Sequence, residues 1–454
     1  MVSINGEKCA ACQTFYDEKT AQHDITVFTE ENLIGLDTYT LPWTIKSDRE
    51  GIYGVAIDIG TTTLAFELLD MKQGAVLASY SVPNSQRAFG ADVITRINRA
   101  VNGDADTLRK TVSKDILEGI CYITDTARID KNQVTHVTVV GNTTMLHLLR
   151  GFPCDGLGVY PFTPVSVDFA RLKFGDVFDE SDLNAELLIL PGVSAFVGAD
   201  ITAGIIACGE LFFSGTSLFI DLGTNGEMAL FDENSKKFLV ASSAAGPAFE
   251  GGSISMGVGS IPGAVASVKF LSEANVFIYE TINNKPPLGI CGTGVVDISA
   301  ELIRHGFVDE TGFLEKETDG DVIICPKSGI VFSQKDVREV QLAKSAVRSG
   351  LEILLEEANI SYENVNKVFL AGGFGYKMDI NSAAVIGLIP SELAEKVTAV
   401  GNAALGGARA VLLERFRESA IMELAASATE VSLSAHPRFS AMFMEYMNMG
   451  SDWA

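Results

Sequence analysis

Apolar positions along the chain come in short runs that stop at polar turns. Gly54–Asp70, GVAIDIGTTTLAFELLD, reads as strand, turn, strand: an apolar run ends at Asp58, Gly60 and three threonines follow, and apolar positions resume at Leu64. Ser217–Asp232, SLFIDLGTNGEMALFD, repeats the design, with an apolar strand closing on Asp221, then Leu-Gly-Thr, then a second apolar strand. The two aspartates stand 163 residues apart (221 minus 58), so two related half-domains are expected. Farther on, Val340, Ala343, Val347, Leu351, Leu354 and Leu355 recur at helical spacing and predict a long helix leading into a third glycine-rich turn, KVFLAGGFGYKMD. Hairpins followed by long helical segments are the order of an α/β fold with a mixed sheet. Residues 1 to about 50, polar and acidic and marked by LPWTIKSDREG, carry no long apolar period and read as an N-terminal extension.

Composition narrows the reading. With 454 residues, 47% of them hydrophobic, the chain can bury two or three cores. A formal net charge of -24 disfavours nucleic acid and anionic membranes as partners, since either would meet a like-charged surface. Any phosphate must then be held by backbone amides, a metal ion or a few placed cations. The longest apolar stretch, LPGVSAFVGADITAGIIACGELFFSG, is broken by Asp200 and Glu210, which argues against a membrane span. The N-terminus lacks the basic start and apolar centre of a signal peptide. A cytoplasmic protein is expected, and seven scattered cysteines suit a reducing compartment.

The turns supply candidate chemistry. In DIGTTT and DLGTNGE, glycine permits close approach of the main chain, and successive amides with threonine hydroxyls can wrap phosphate oxygens. Asp58 and Asp221 would repel phosphate directly, so their sensible role is to hold hydrated Mg²⁺ bridging to it. Glu227, four residues after Gly223, is a candidate for orienting an attacking water. One such hairpin alone is more often an ordinary turn; two copies followed by LAGGFG are a stronger signal. No Walker sequence G-x-x-x-x-G-K-[ST] occurs. In NSQRAFGADVITRI, Asn84, Gln86 and Arg87 form a polar mouth before Asp92, which reads as a helix cap rather than a cleft residue.

In this order the three turns resemble the actin-like ATPase superfamily of acetate and sugar kinases, heat-shock chaperones and actin. The resemblance implies an α/β fold of two ribonuclease-H-like lobes, with mixed sheets flanked by helices, closing over Mg-ATP. Residues 1–50 would be the short extension, 51–212 the first lobe, and 213–454 the second lobe with connecting and C-terminal helices; GNAALGGARAVLLE looks like the second connecting helix. A narrower resemblance covers Gly54 to Met447. NSQRAFGADVITRI, VVGNTTMLHLLRG, AAGPAFEGGSISMG, GICGTGVVDISAELI, KDVREVQLAKSAVRSG and VSLSAHPRF together look like the reductive activators of corrinoid-dependent enzymes. Those proteins use ATP to return an oxidised cobalt(II) corrinoid to cobalt(I). The resemblance implies a phosphate and magnesium site from Asp58, Gly60, Thr61, Thr62, Thr63, Asp221, Gly223, Thr224, Asn225, Gly226 and Glu227. Around the nucleoside it implies Gly246, Pro247, Glu250, Gln341, Lys344, Gly372, Gly373 and Phe374. It also implies a corrinoid protein as partner and an electron donor such as ferredoxin.

This sequence departs from the family pattern at its electron module. Members often carry a 2Fe-2S domain with C-x5-C-x2-C and a fourth cysteine, whereas only Cys9 and Cys12 stand here in a C-x2-C. Three readings stay open: a loose reduced pair, a redox dithiol, or four thiolates pooled by a homodimer for an iron-sulfur cluster or Zn²⁺. Cys121, Cys154, Cys208 and Cys325 read as buried or half-buried small hydrophobes, Cys291 as a residue near the cleft, and His147 and His436 as structural. Two other functions compete: a small-molecule kinase of the same fold, and a nucleotide-dependent partner-binding protein without redox chemistry.

Overall fold

The computed structural model describes residues 2–4, 7–9, 25–27, 52–179, 181–315, 321–372, 378–413 and 416–450. Both expected hairpins form, and each builds the middle of its own six-stranded sheet. In the first, β1 (Tyr53–Ile59), β2 (Thr63–Asp70) and β3 (Ala75–Pro83) make an antiparallel meander. Strand β4 (Val134–Gly141) then runs parallel to β1 and β6 (Glu186–Ile189) parallel to β4, with β5 (Ala170–Lys173) antiparallel at the edge. The order is β3-β2-β1-β4-β6-β5.

The second sheet repeats the plan. β7 (Ser217–Leu222), β8 (Gly226–Phe231) and β9 (Phe238–Ser243) form the meander. β10 (Lys367–Ala371) lies parallel to β7 and β11 (Val397–Gly401) parallel to β10, while short β12 (Ala428–Glu430) pairs with β9. The shared order 3-2-1-4-5 is the ribonuclease-H-like arrangement, and the central strands are buried on both faces, as helix-covered parallel strands must be.

Eight helices matter for the site: α1 (Val93–Arg99), α2 (Ala105–Ala127), α3 (Thr143–Arg150), α4 (Ala199–Cys208), α5 (Gly292–Arg304), α6 (Gln334–Ala358), α7 (Ala403–Leu412) and α8 (Phe439–Glu445). The helix expected from Val340 to Leu355 lies within α6, with all six named positions buried. Ser333 and Asp336 form a capping box at its start, and Asn359 ends it in the left-handed conformation.

Helices α4 and α7 pack against each other between the sheets. α4 sends Ala199, Ala203 and Ile206 into the first core and Ile201 and Ile205 into an apolar layer with Phe219 and Ala229 of the second sheet. α7 follows β11 of the second sheet yet packs on β1 and β4, and its Arg409 Nη1 lies 3.2 Å from both carboxylate oxygens of buried Glu67 on β2. At the crossing, a Cβ on Gly407 would stand 1.9 Å from the Ala203 carbonyl oxygen, so only glycine permits this approach. Among the described residues no helix is long and apolar enough to cross a membrane. Val2–Ile4, Glu7–Cys9 and Ile25–Val27 form a small antiparallel sheet with the first strand central.

Candidate functional site

The first turn is pinned from below. Gly60 N–H donates to the Thr63 carbonyl at 3.0 Å. Asn84 donates its side-chain amide to the Gly60 carbonyl at 2.9 Å and its backbone N–H to the Thr62 carbonyl at 2.9 Å. Arg96 Nη2 donates to the Thr61 carbonyl, and Asn142 Nδ2 to Thr61 Oγ1 at 2.9 Å. Asn84 and Arg96 are fully buried. In a trans peptide the N–H of the next residue points opposite to the carbonyl. With the carbonyls of Gly60, Thr61 and Thr62 tied down to these donors, the amides of Thr61, Thr62 and Thr63 face away from them, as an anion-binding concavity requires.

In the second turn, Gly223 N–H donates to the Asn225 carbonyl at 2.9 Å and Thr224 Oγ1 to Glu250 Oε2 at 3.1 Å. Asp221 is paired directly across the ladder with Glu227, so both carboxylates stand on one face of the sheet. Asn225 Nδ2 donates to Glu227 Oε1 at 3.2 Å. Glu250 arrives on the turn Pro247–Glu250 that opens at Gly246. The third turn closes in at the end of β7: Gly372 has φ +119, a Cβ there would stand 2.3 Å from the Leu222 carbonyl oxygen, and its N–H donates to Gly401.

Five carboxylates therefore face a common space, and the charged form of each is disfavoured, so that each titrates above its ordinary range. Burial raises Asp221 to about 8, with Asp200, Asp58 and Glu250 adding repulsion. Burial raises Asp58 to about 7, against the hydrogen bond Asn402 Nδ2 donates to its Oδ2 at 3.0 Å. Asp200 goes up to about 6 through burial, although Ile201 N–H donates to its Oδ1 at 3.0 Å. Glu227 rises well above the ordinary glutamate value through burial and then through Asp200 and Asp221. Glu250 is raised by burial, opposed by the Thr224 hydrogen bond and the charge of Arg87. Such a cluster is electrostatically short of a cation. Among the described residues no three acidic, thiol or imidazole groups converge tightly enough to cage an ion. Mg²⁺ keeps several waters and leans on one or two carboxylates plus phosphate, and Asp58 and Asp221 would offer it such a partial shell.

The structure thus brings together Asp58, Gly60–Thr63, Asp221, Gly223–Glu227, Glu250 and Gly372. Gln341 and Lys344 share α6 but bind elsewhere: Gln341 Nε2 donates to the carbonyls of Thr311 and Met447, and Lys344 Nζ to that of Asn448. Gly373, Phe374 and Cys12 lie outside the described residues, and of Cys9 only the backbone is described, as the end of a short strand. Asp92 caps α1, accepting from Thr95 N–H at 2.8 Å, as expected. His147 is structural, with Nδ1 at 2.8 Å from the Thr143 carbonyl and Nε2 accepting from Val165 N–H at 3.0 Å; His436 Nε2 stands 3.3 Å from Glu357. Cys154, Cys208 and Cys325 are buried, but Cys121 is exposed, because its side of α2 faces outward. Cys291 is fully buried with its thiol directed to the Val265 carbonyl.

Sequence reasoning missed Asp200, Arg96, Asn142 and Asn402. Asp200 looked like a mere break in an apolar run. The two asparagines carried a usable signal: VTVVGN (Val137–Asn142) and VTAVGN (Val397–Asn402) repeat one another. Each asparagine ends a strand and caps the next helix, accepting from Met145 N–H or Leu405 N–H, while its amide reaches Thr61 or Asp58.

Comparison with known proteins places the chain in a family. Residues 53–210 match the RACo middle region and residues 215–452 the C-terminal domain of RACo, the ASKHA domain. The chain is 33% identical over 419 residues to the corrinoid activation enzyme RamQ of Eubacterium limosum, covering 87% of this chain and 70% of the relative. It is 27% identical over 407 residues to the [Co(II) methylated amine-specific corrinoid protein] reductase of Methanosarcina barkeri, covering 83% and 73%. Among solved structures it resembles the reductive activator for corrinoid,iron-sulfur protein, with a TM-score of 0.82 and 32% identity over 89% of this chain and 67% of that one. The chain therefore belongs to the RACo family of reductive corrinoid activators and has the actin-like ATPase (ASKHA) fold.

Proposed function

We propose that the protein binds Mg-ATP between its lobes and uses hydrolysis to drive reduction of a cobalt(II) corrinoid protein to cobalt(I). The observation that carries this reading is the pairing of two glycine- and threonine-rich turns with five mutually repelling carboxylates at one cleft, Glu227 buried and Asp58, Asp200, Asp221 and Glu250 half-buried. Asp58 and Asp221 would hold a hydrated Mg²⁺, whose charge neutralises phosphate and relieves the cluster together. The amides of Thr61 to Thr63 and of Thr224 and Asn225 would cradle phosphate oxygens, with the Gly223 N–H closing the second turn on the Asn225 carbonyl. Glu227, ionised once a cation is present, orients the attacking water, and Asp200 stands beside it. Gly246, Pro247, Glu250 and Gly372 would line the nucleoside pocket, Gly373 and Phe374 are proposed for it from the sequence alone, and Gln341 and Lys344 hold the C-terminal segment rather than the nucleoside.

ATP can do work on a partner only if it binds one lobe arrangement better than another. The α4–α7 crossing is the element that the two arrangements would share. Electrons would come from a separate donor such as ferredoxin; for Cys9 and Cys12 a loose reduced pair, a redox dithiol and half of a four-thiolate site shared in a homodimer stay open. The setting is cytoplasmic. The test is ATP turnover with and without a cobalt(II) corrinoid protein, followed by the cobalt(II) spectrum after adding reductant. Stimulated turnover with loss of the cobalt(II) signal is expected; a cobalt(II) corrinoid protein that leaves turnover unchanged and stays oxidised would overturn the reading.

A further inference from the structure

We propose that Glu250 is a positioning residue that stands in for phosphate: in the nucleotide-free chain its carboxylate rests on the second phosphate turn and bridges it to the first, so that a nucleotide enters by displacing it. The inference rests on the nucleotide site proposed above and deepens it, setting the Glu250 carboxylate at the phosphate end of the pocket.

The backbone beneath Glu250 is fixed. The turn Pro247–Glu250 opens at Gly246, with φ +75, and closes at Gly251, with φ +76, a conformation that suits glycine. Gly251 N–H donates to the Ala248 carbonyl at 3.0 Å and Gly252 N–H to the Pro247 carbonyl at 2.8 Å, while Ala248 and Phe249 are buried in the core of the second lobe. A turn locked in this way delivers its last side chain to one place. That place is the second phosphate turn: Thr224 Oγ1 donates to Glu250 Oε2 at 3.1 Å, and Oε1 lies 3.5 Å from where a Cβ on Gly223 would stand.

The first turn meets the same carboxyl, for the Thr62 hydroxyl also donates to it. One hydroxyl from each lobe therefore converges on a single anionic group, which is the service these turns would render to phosphate oxygens. Carboxylate and phosphate cannot hold the donors together, because like charges in contact repel. Arg87 gives the displaced group somewhere to go. It stands half-buried on the turn Ser85–Ala88, its charge acts on Glu250, and among the described residues its guanidinium has no ion-pair partner. Entry of a nucleotide would thus exchange a Glu250–Thr62 contact between the lobes for a Glu250–Arg87 one, while the nucleotide's affinity is reduced by the fraction of chains whose turns Glu250 already fills.

The test titrates wild type and Glu250→Gln calorimetrically with ADP and with adenosine, both in the presence of Mg²⁺, alongside melting temperature. Gln keeps the shape and removes the charge, so the variant should bind ADP about tenfold more tightly. Its affinity for adenosine should be unchanged, since adenosine has no phosphate to compete. Glu250→Asp, which draws the carboxylate back from the turns by one methylene, should also favour ADP over adenosine relative to wild type, and it carries the same test if the Gln variant melts well below wild type. ADP bound no more tightly by either variant, or ADP and adenosine affinities that change in parallel, would overturn the stand-in role and leave Glu250 as a residue of the nucleoside pocket or the metal site. Wild type that binds neither ligand would overturn the nucleotide reading itself.

Discussion

Replacing Asp221 by Asn should make the nucleotide-free protein more stable at pH 8 while removing its ability to use Mg-ATP. The carboxyl of Asp221 titrates at about 8 in the folded chain against an ordinary 3.8, first because it is buried and then because Asp200, Asp58 and Glu250 repel its charge. A folded value raised above the unfolded one means that the native state binds more protons across the interval. Stability contributed by this group is therefore complete below about pH 4 and is lost as pH rises through 8. About four pH units at 1.36 kcal/mol each set a ceiling of about 6 kcal/mol. Water in the cleft and sharing of protons with Asp58 and Glu227 reduce that to about 2–3 kcal/mol. Asn keeps the shape and removes the charge. Scanning calorimetry without nucleotide should show wild type losing melting temperature between pH 5 and 8. The Asn variant should fall less and melt roughly 5 °C higher at pH 8. With Mg²⁺ and a non-hydrolysable ATP analogue the ranking should reverse, since only wild type gains from the ligand. An Asn variant that melts at or below wild type at pH 8 without ligand, with an unchanged pH slope, would refute the claim that this cluster is held together against its own repulsion.

Three further outcomes follow from single contacts. Gly407→Ala drives a Cβ into the Ala203 carbonyl, so α4 and α7 must part; a loss of about 1–3 kcal/mol by denaturant titration is expected, with ATP turnover falling further than stability explains. Asn402→Ala removes the donor to Asp58 Oδ2, so the carboxyl should titrate higher still and the pH at which Mg-ATP binding reaches half its maximum should move up. Lys344 is lowered by burial, then by Arg348, to about 7 from 10.5; its unfolded form binds more protons between those values, so wild-type stability gains from this group as pH rises from 7 toward 10. Lys344→Met should abolish that gain in melts across the interval.

How much of this was readable from one chain depends on how local the cause is. The hairpins announced themselves because a strand buried on both faces has no use for Asp58 or Asp221, and the residues that make the turn are the ones that make the site. Gln341 and Lys344 were placed on the right helix by spacing, but their partners, the carbonyls of Met447 and Asn448, lie more than a hundred residues downstream, and nothing in a helical period predicts them. Asp200 is the clearest case of information held only in packing. Its position at the start of α4 matters because α4 crosses α7 and so ends at the cleft; seen alone, it is an acid in an apolar run.

The repeated V-T-x-V-G-N segments show how duplication becomes asymmetry. After β4 the chain stays in its own lobe, and Asn142 steadies Thr61 of that lobe's turn. After β11 the chain crosses into the other lobe as α7, and the equivalent Asn402 donates to Asp58, an acid of the opposite turn. One sequence motif thus serves as an internal brace in the first copy and as a tie between lobes in the second. Opening the cleft must move α7 with one lobe or the other, and the Asn402–Asp58 hydrogen bond sits where that choice is made. If a divalent cation holds the Asp58 carboxyl in its charged form, as proposed, the strength of this tie would depend on what occupies the cleft, and lobe angle would be coupled to nucleotide through this side-chain pair.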